Sequence, residues 1–133
     1  MIEAVGHEFY ANYFEKCASL LSDKGLMLIQ AITISDQRYD QAKNSVDFIQ
    51  RYIFPGGCLP SNQIVAKHVA EDTDMQIIGL EDITRDYALT LAHWRERFLA
   101  QTQDYLAQGL SGDFIRMWDY YLAYCQGGFM ERV

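Results

Sequence analysis

The chain has 133 residues, of which 50% are hydrophobic and 22% charged, with a formal net charge of −7. That balance describes one soluble globular domain, large enough for a real core and too small for two ordinary domains. The aromatic content of 14% excludes a disordered tail, and an acidic chain without any block of Lys or Arg lacks the footprint of a nucleic-acid binder and is not drawn to anionic lipid by charge.

The chain opens on Met1-Ile2-Glu3-Ala4-Val5-Gly6 with no polar lead-in, as if at the tail of an element. From residue 7 to 21, Phe9, Tyr10, Tyr13, Phe14, Cys17, Leu20 and Leu21 fall on one helical face. Ser22-Asp23-Lys24-Gly25 then predicts a turn closed by a left-handed Gly25. Residues 26–34 are apolar and rich in β-branched side chains, which predicts a strand covered on both faces; the run is about half a membrane span. Residues 35–40 read as a polar loop. Val46, Ile49 and Ile53 mark a short helix stopped by Phe54-Pro55-Gly56-Gly57.

Ser61 is placed to cap a helix whose Ile64, Val65, His68 and Val69 share a face. Residues 75–83, with Ile77, Ile78 and Leu80, predict a second strand. Tyr87, Leu91, Trp94, Phe98 and Tyr105 form a helical stripe, broken at residues 109–112. Phe114, Trp118, Tyr121 and Cys125 form another, ended by Gly127-Gly128. The order helix, strand, helix, helix, strand, helix, helix suggests an α/β sheet. Two strands are marginal alone, so further strands are missing or come from another chain.

Chemistry-bearing motifs are scarce. Cys17, Cys58 and Cys125 are odd in number and widely spaced, which argues against disulfides and zinc and for a reducing cytoplasm. No signal peptide or membrane-length run is visible. No Gly-rich phosphate loop, GxSxG or HExxH occurs. His7, His68 and His93 are scattered over predicted helices, where boundary histidines outnumber ligands and bases. Cys58 reads as inert.

Four strings go further. Glu3-Ala4-Val5-Gly6, Ile29-Gln30-Ala31-Ile32-Thr33-Ile34, Tyr52-Ile53-Phe54-Pro55-Gly56-Gly57-Cys58-Leu59-Pro60-Ser61, and residues 86–98 with Asp86, Tyr87, Trp94, Arg97 and Phe98 occur in order. Together they resemble the cyclopropane-fatty-acyl-phospholipid synthase family along essentially the whole chain. The resemblance implies a class I S-adenosylmethionine-dependent methyltransferase fold, Rossmann-like and α/β. In that family an alkene of an unsaturated phospholipid acyl chain attacks the sulfonium methyl, and a bound bicarbonate removes a proton as the ring closes. The resemblance puts the bicarbonate site on Glu3, Gln30 (where the family has His), the backbone of Ile32, and Tyr87. The family's Cys lies upstream, and none of the three cysteines here replaces it; Ala4 stands where relatives often have His.

A desolvated anion needs donors, which a Tyr hydroxyl, backbone N–H groups and the Gln30 amide can supply, although Gln30 cannot become cationic. Each residue also has a plainer role. Glu3 could be an acid ahead of a helix, Gln30 a buried amide satisfied by backbone, Ile32 core, and Tyr87 the start of a packing stripe. Phe54, Trp94, Phe98 and Tyr121 are candidates for an acyl pocket, against the commoner reading of an aromatic stripe as core.

The family's cofactor loop lies upstream and a final strand lies beyond residue 133. The expectation is therefore a single domain over residues 1–133: the C-terminal portion of a methyltransferase domain, helix-rich, with the first half and last strand of its sheet missing. Met1 would mark a cut near a strand end. Such a piece should be inactive alone and bind neither S-adenosylmethionine nor bicarbonate by itself. The alternatives are a non-catalytic assembly module, a homo-oligomer paired through exposed strand edges, or a carrier of hydrophobic ligands. The expected location is the cytoplasm, with peripheral contact at the inner membrane left open.

Overall fold

The computed structural model describes residues 2–132. Short 3-10 turns at Ile2–Ala4 and His7–Phe9 lead into seven helices: α1 Tyr10–Leu20, α2 Asp36–Lys43, α3 Phe48–Tyr52, α4 Asn62–Asp72, α5 Thr84–Ala100, α6 Thr102–Ala107 and α7 Gly112–Glu131. The chain divides into two compact units, Met1–Leu80 and Glu81–Val133. Met1, where the expected strand end falls, lies outside the described residues.

In the first unit, α1 brings Tyr10 and Phe14, four residues apart, onto one face, and both are fully buried. They pack with Ile2 and Val69, and Tyr13, Ile29, Ala31, Ile64, Val65 and Met75 close round them. Ser61 caps α4 as its sequence position predicts: its hydroxyl accepts the Ile64 N–H at 3.3 Å. Asp36 adds a cap from outside, its Oδ1 accepting the Gln63 N–H at 2.9 Å. Ser61→Ala should lower stability by about 0.5–2 kcal/mol, read from the urea midpoint at unchanged slope.

Neither predicted strand forms a ladder among the described residues. Residues 26–34 make a single parallel bridge, Ile34 to Ser61, with the Ile34 N–H donating to the Pro60 carbonyl at 3.0 Å. Burial over residues 26–31 nevertheless alternates. Ile29 and Ala31 turn to the core, while Leu26 and Leu28 are 80% and 91% exposed. That is the period of a strand laid on one surface, so the expectation of cover on both faces is corrected. Residues 75–83 likewise carry no ladder, and Ile78 is 82% exposed.

Three further expectations change. Residues 35–40 read as a polar loop, but residues 36–43 are helical; Tyr39 is the one buried side chain of α2, too few for a periodic signal. Gly25 has no positive φ. A side chain there would sit 3.0 Å from the Ser22 carbonyl and 3.1 Å from Leu21 Cβ, so close approach explains this glycine. Gly127-Gly128 do not end the last helix, which runs to Glu131 and closes at Arg132 with φ 55°.

The second unit is built on α5 packed along α7. Ala88 and Leu91 from α5, and Ile115 and Leu122 from α7, are its buried residues. Arg95 Nε donates to Asp119 Oδ1 at 2.6 Å across the pair, and Tyr87 meets Phe129 edge-on at 4.9 Å. Ser111 caps α7 by accepting the Phe114 N–H at 3.1 Å. Among the described residues no helix is long and apolar enough to cross a membrane.

Candidate functional site

Glu3 and Ile32 meet although 29 residues separate them. Glu3 Oε1 accepts the Ile32 N–H at 2.7 Å. The Ile2–Ala4 turn holds Glu3 there because Ile2 is fully buried beside it. The Glu3 carbonyl accepts the Cys58 N–H at 2.8 Å, and the Cys58 carbonyl accepts the Tyr10 hydroxyl at 2.5 Å. Residues 26–34 are thus tied to Glu3 through its carboxylate, the turn after α3 through its backbone carbonyl, and the start of α1 through that turn.

The Pro-Gly-Gly string has a steric reason to lie here. A Cβ on Gly57 would stand 3.2 Å from both the Glu3 and the Phe54 carbonyl oxygens, so a side chain would displace the backbone of Glu3. Gly6, at φ 83°, approaches the Gly56 carbonyl equally closely. Gln50 braces the turn by donating from Nε2 to the Gly57 carbonyl at 3.0 Å.

Burial works to raise the Glu3 carboxyl, and donated hydrogen bonds, that of Ile32 N–H among them, outweigh it, so it lies below its ordinary 4.5. The site therefore presents an ionised acceptor at neutral pH. Tyr10 is pushed far above its ordinary 10.0, first by burial and then by the neighbouring Cys58. A group with a raised folded value contributes stability that is intact below the unfolded value and lost as pH rises past it. An alkaline titration followed by tyrosinate absorbance should therefore show a late phase, to which Tyr10 and the likewise raised Tyr121 contribute, that appears only with unfolding. Tyr10→Phe should lower the amplitude of that phase by one phenol.

The other predicted site residues fall elsewhere. Gln30 is exposed, on the same side of the alternation as Leu26 and Leu28, so the reading of a buried amide is corrected. Tyr87 lies on α5 in the second unit, edge-on to Trp94 at 6.1 Å as well as to Phe129. Phe54 is in the first unit and half exposed. Trp94, Phe98 and Tyr121 are in the second and have different ring partners: Tyr87, Tyr105 at 5.1 Å and Trp118 at 5.4 Å. Burial pushes the Tyr121 hydroxyl well up.

Tyr10 and Cys58 are the residues that sequence reasoning missed. The stripe marked Tyr10 only as core, and Cys58 acts through its backbone. His68 is a satisfied boundary histidine, 2.6 Å from Asp72 and stacked on Phe14. Among the described residues no group of three or more His, Cys, Asp or Glu could hold a metal.

The family model described as mycolic acid cyclopropane synthetase matches residues 1–133. The tuberculostearic acid methyltransferase UfaA1 of Mycobacterium tuberculosis is 42% identical over 130 residues, covering 97% of this chain and 30% of that protein. The cyclopropane-fatty-acyl-phospholipid synthase of Escherichia coli is 36% identical over 135 residues, covering 99% of this chain and 33% of that protein. Among solved structures, the cyclopropane synthase MmaA2 from M. tuberculosis superposes with a TM-score of 0.82 at 22% identity. The mycolic acid cyclopropane synthase CmaA1, solved with SAH and CTAB, gives 0.83 at 26%. Each of these structures covers 96% of this chain, which in turn covers 47% of each. The chain thus spans about a third of these curated relatives and about half of the solved chains, and its fold is part of theirs. Matched from end to end by the family model, it belongs to the mycolic acid cyclopropane synthetase family.

Proposed function

We infer that this chain is the acyl-side portion of an enzyme that adds a methylene from S-adenosylmethionine across a cis double bond of a phospholipid acyl chain. The observation that supports it most is the Glu3–Ile32 contact: an ionised, half-buried acceptor fixed by backbone, at the position the family resemblance assigns to the bicarbonate site. The fit to bicarbonate is partial. Ile32 N–H is already given to Glu3, so this pair offers an acceptor for the anion's own O–H. Within the first unit its donor is assigned to the Gln30 amide, while Tyr87, in the second unit, keeps the role that the family resemblance gives it. Phe54, Trp94, Phe98 and Tyr121 are assigned to acyl contact.

S-adenosylmethionine, when bound, supplies an electrophilic methyl carbon on sulfur. These 133 residues carry no glycine-rich loop for it, so its site is assigned to residues outside them. Calorimetric titration of the chain alone with S-adenosylmethionine is expected to show no micromolar binding. The decisive experiment exchanges the matching third of the E. coli synthase for this chain and assays vesicles of dioleoyl-phosphatidylglycerol. Phospholipid heavier by one methylene is expected. A folded chimera that binds S-adenosylmethionine yet leaves the lipid unchanged would overturn the assignment.

A second reading, an assembly module paired through residues 26–34, is favoured by the exposed, alternating Leu26 and Leu28. Sedimentation tests it: a concentration-independent monomer counts against strand pairing.

A further inference from the structure

A cleft of about 200 Å³ opens on the first unit, on the turn that holds Glu3. Lys43 and His7 line it, with Gly56, Gly57 and Cys58 from the Pro-Gly-Gly turn. Ligand pockets for drug-sized molecules run from about 300 to 1,000 Å³, so this one suits a small group. The chain has 18 acidic residues against 11 basic ones. Even so, neither Asp nor Glu lines the cleft among the described residues. A basic, acid-free recess on an acidic chain is a recess for an anion.

Most other polar groups in its wall are committed. Gln50 gives Nε2 to the Gly57 carbonyl and takes the Asp47 N–H on Oε1, each at 3.0 Å. Ser45 donates to the Ala42 carbonyl, Gly57 N–H to the Phe54 carbonyl, and Cys58 N–H to the Glu3 carbonyl. Lys43 is different. Its side chain is only 29% exposed, its ammonium lies over the Tyr39 ring, and its ion partner among the described residues is Asp40 at 3.6 Å, itself 89% exposed. So exposed a carboxylate holds a lysine only weakly. The lysine's charge also reaches into the cleft. Burial pushes the Cys58 thiol up, and the Tyr10 hydroxyl and Lys43 pull it partly back. Gly56, at φ 81°, leaves open space where a side chain would stand.

We propose that this cleft binds one phosphate group, held by Lys43 Nζ and the His7 imidazole above the Gly56–Gly57 backbone. The phosphate of a lipid headgroup and free phosphate share this chemistry. Assigning it to a headgroup rests on the phospholipid reading above; the anion site does not. His7 lies four residues beyond Glu3, and Cys58 is bonded to the Glu3 carbonyl, so a headgroup here would be anchored beside the candidate bicarbonate residue Glu3.

The test titrates the isotopically labelled 133-residue chain in three arms: inorganic phosphate, monomeric dihexanoyl-phosphatidylglycerol, and dihexanoylglycerol, which lacks the phosphate. Saturable shifts of the Gly56, Gly57 and Cys58 amides are expected with the first two and none with the third. The phosphatidyl compound should displace inorganic phosphate. Lys43→Gln should weaken both by roughly tenfold or more, and His7→Gln by less, with the remaining spectrum unchanged. Absence of saturable shifts with either phosphate, or equal affinity in folded Lys43→Gln, would overturn the site. Binding of inorganic phosphate alone supports the anion site and overturns the headgroup assignment. None of these outcomes depends on the chimeric synthase, so the two readings fail separately.

Discussion

Glu3→Gln is expected to slow ring formation by about 10²–10⁴-fold in the chimeric synthase, the range for losing a positioned acid–base group. The substitution keeps the side chain's length and leaves an amide oxygen to accept the Ile32 N–H, so the 2.7 Å contact can persist. It removes the negative charge that a bicarbonate hydroxyl would donate to. Position without charge separates the two roles of Glu3: if it merely ties residues 26–34 to the Ile2–Ala4 turn, Gln serves almost as well. A rate within about tenfold of the parent, measured as ring-bearing phospholipid per unit time, would reduce Glu3 to a structural tie.

Phe14→Ala carries the largest expected effect on stability, about 3–5 kcal/mol. Phe14 is fully buried in the cluster of Ile2, Tyr10 and Val69, packed edge-on to Tyr13 and face-on to His68. A cavity there has no exposed flank through which to fill. Much of a small domain's stability lies within that range, so denaturant unfolding of the variant should begin near zero urea. A loss under about 1 kcal/mol would show that the cluster collapses around the gap.

The helical part of this fold was legible wherever side chains repeat on one face. Tyr10 and Phe14, Leu91, and Ile64 to Val69 after Ser61 stand where periodicity puts them. Helix α2 escaped because its one anchor, Tyr39, leaves no period to read. The strands failed for the opposite reason: apolar, β-branched composition reports a preference for a pleated surface, and only neighbouring strands turn that preference into a ladder. For the site, the motif strings located Glu3 and Ile32. They could not reveal that Ile32 N–H bonds the Glu3 carboxylate, nor that Cys58 N–H holds the Glu3 carbonyl, because a backbone donor leaves no mark on residue type. The Gly-Gly pair did leave one: Gly57 is required by the Glu3 carbonyl 3.2 Å from where its side chain would begin.

The glycine pair inside α7 sets where that helix loosens. Each interior glycine weakens a helix by about 0.5–1 kcal/mol relative to alanine. A Cβ on Gly127 would meet nothing within 4 Å, so close packing does not explain that residue. Beyond the pair, the final turn is fastened by Phe129 against Tyr87 and by Arg132 to Asp82 at 2.8 Å. Amide exchange should therefore be quickest after Gly128, and each opening strips Tyr87 of its Phe129 neighbour. The packing of Tyr87 thus depends on a helix end more than forty residues away in sequence, a soft mounting that Gly127→Ala, whose Cβ would meet open space, should stiffen.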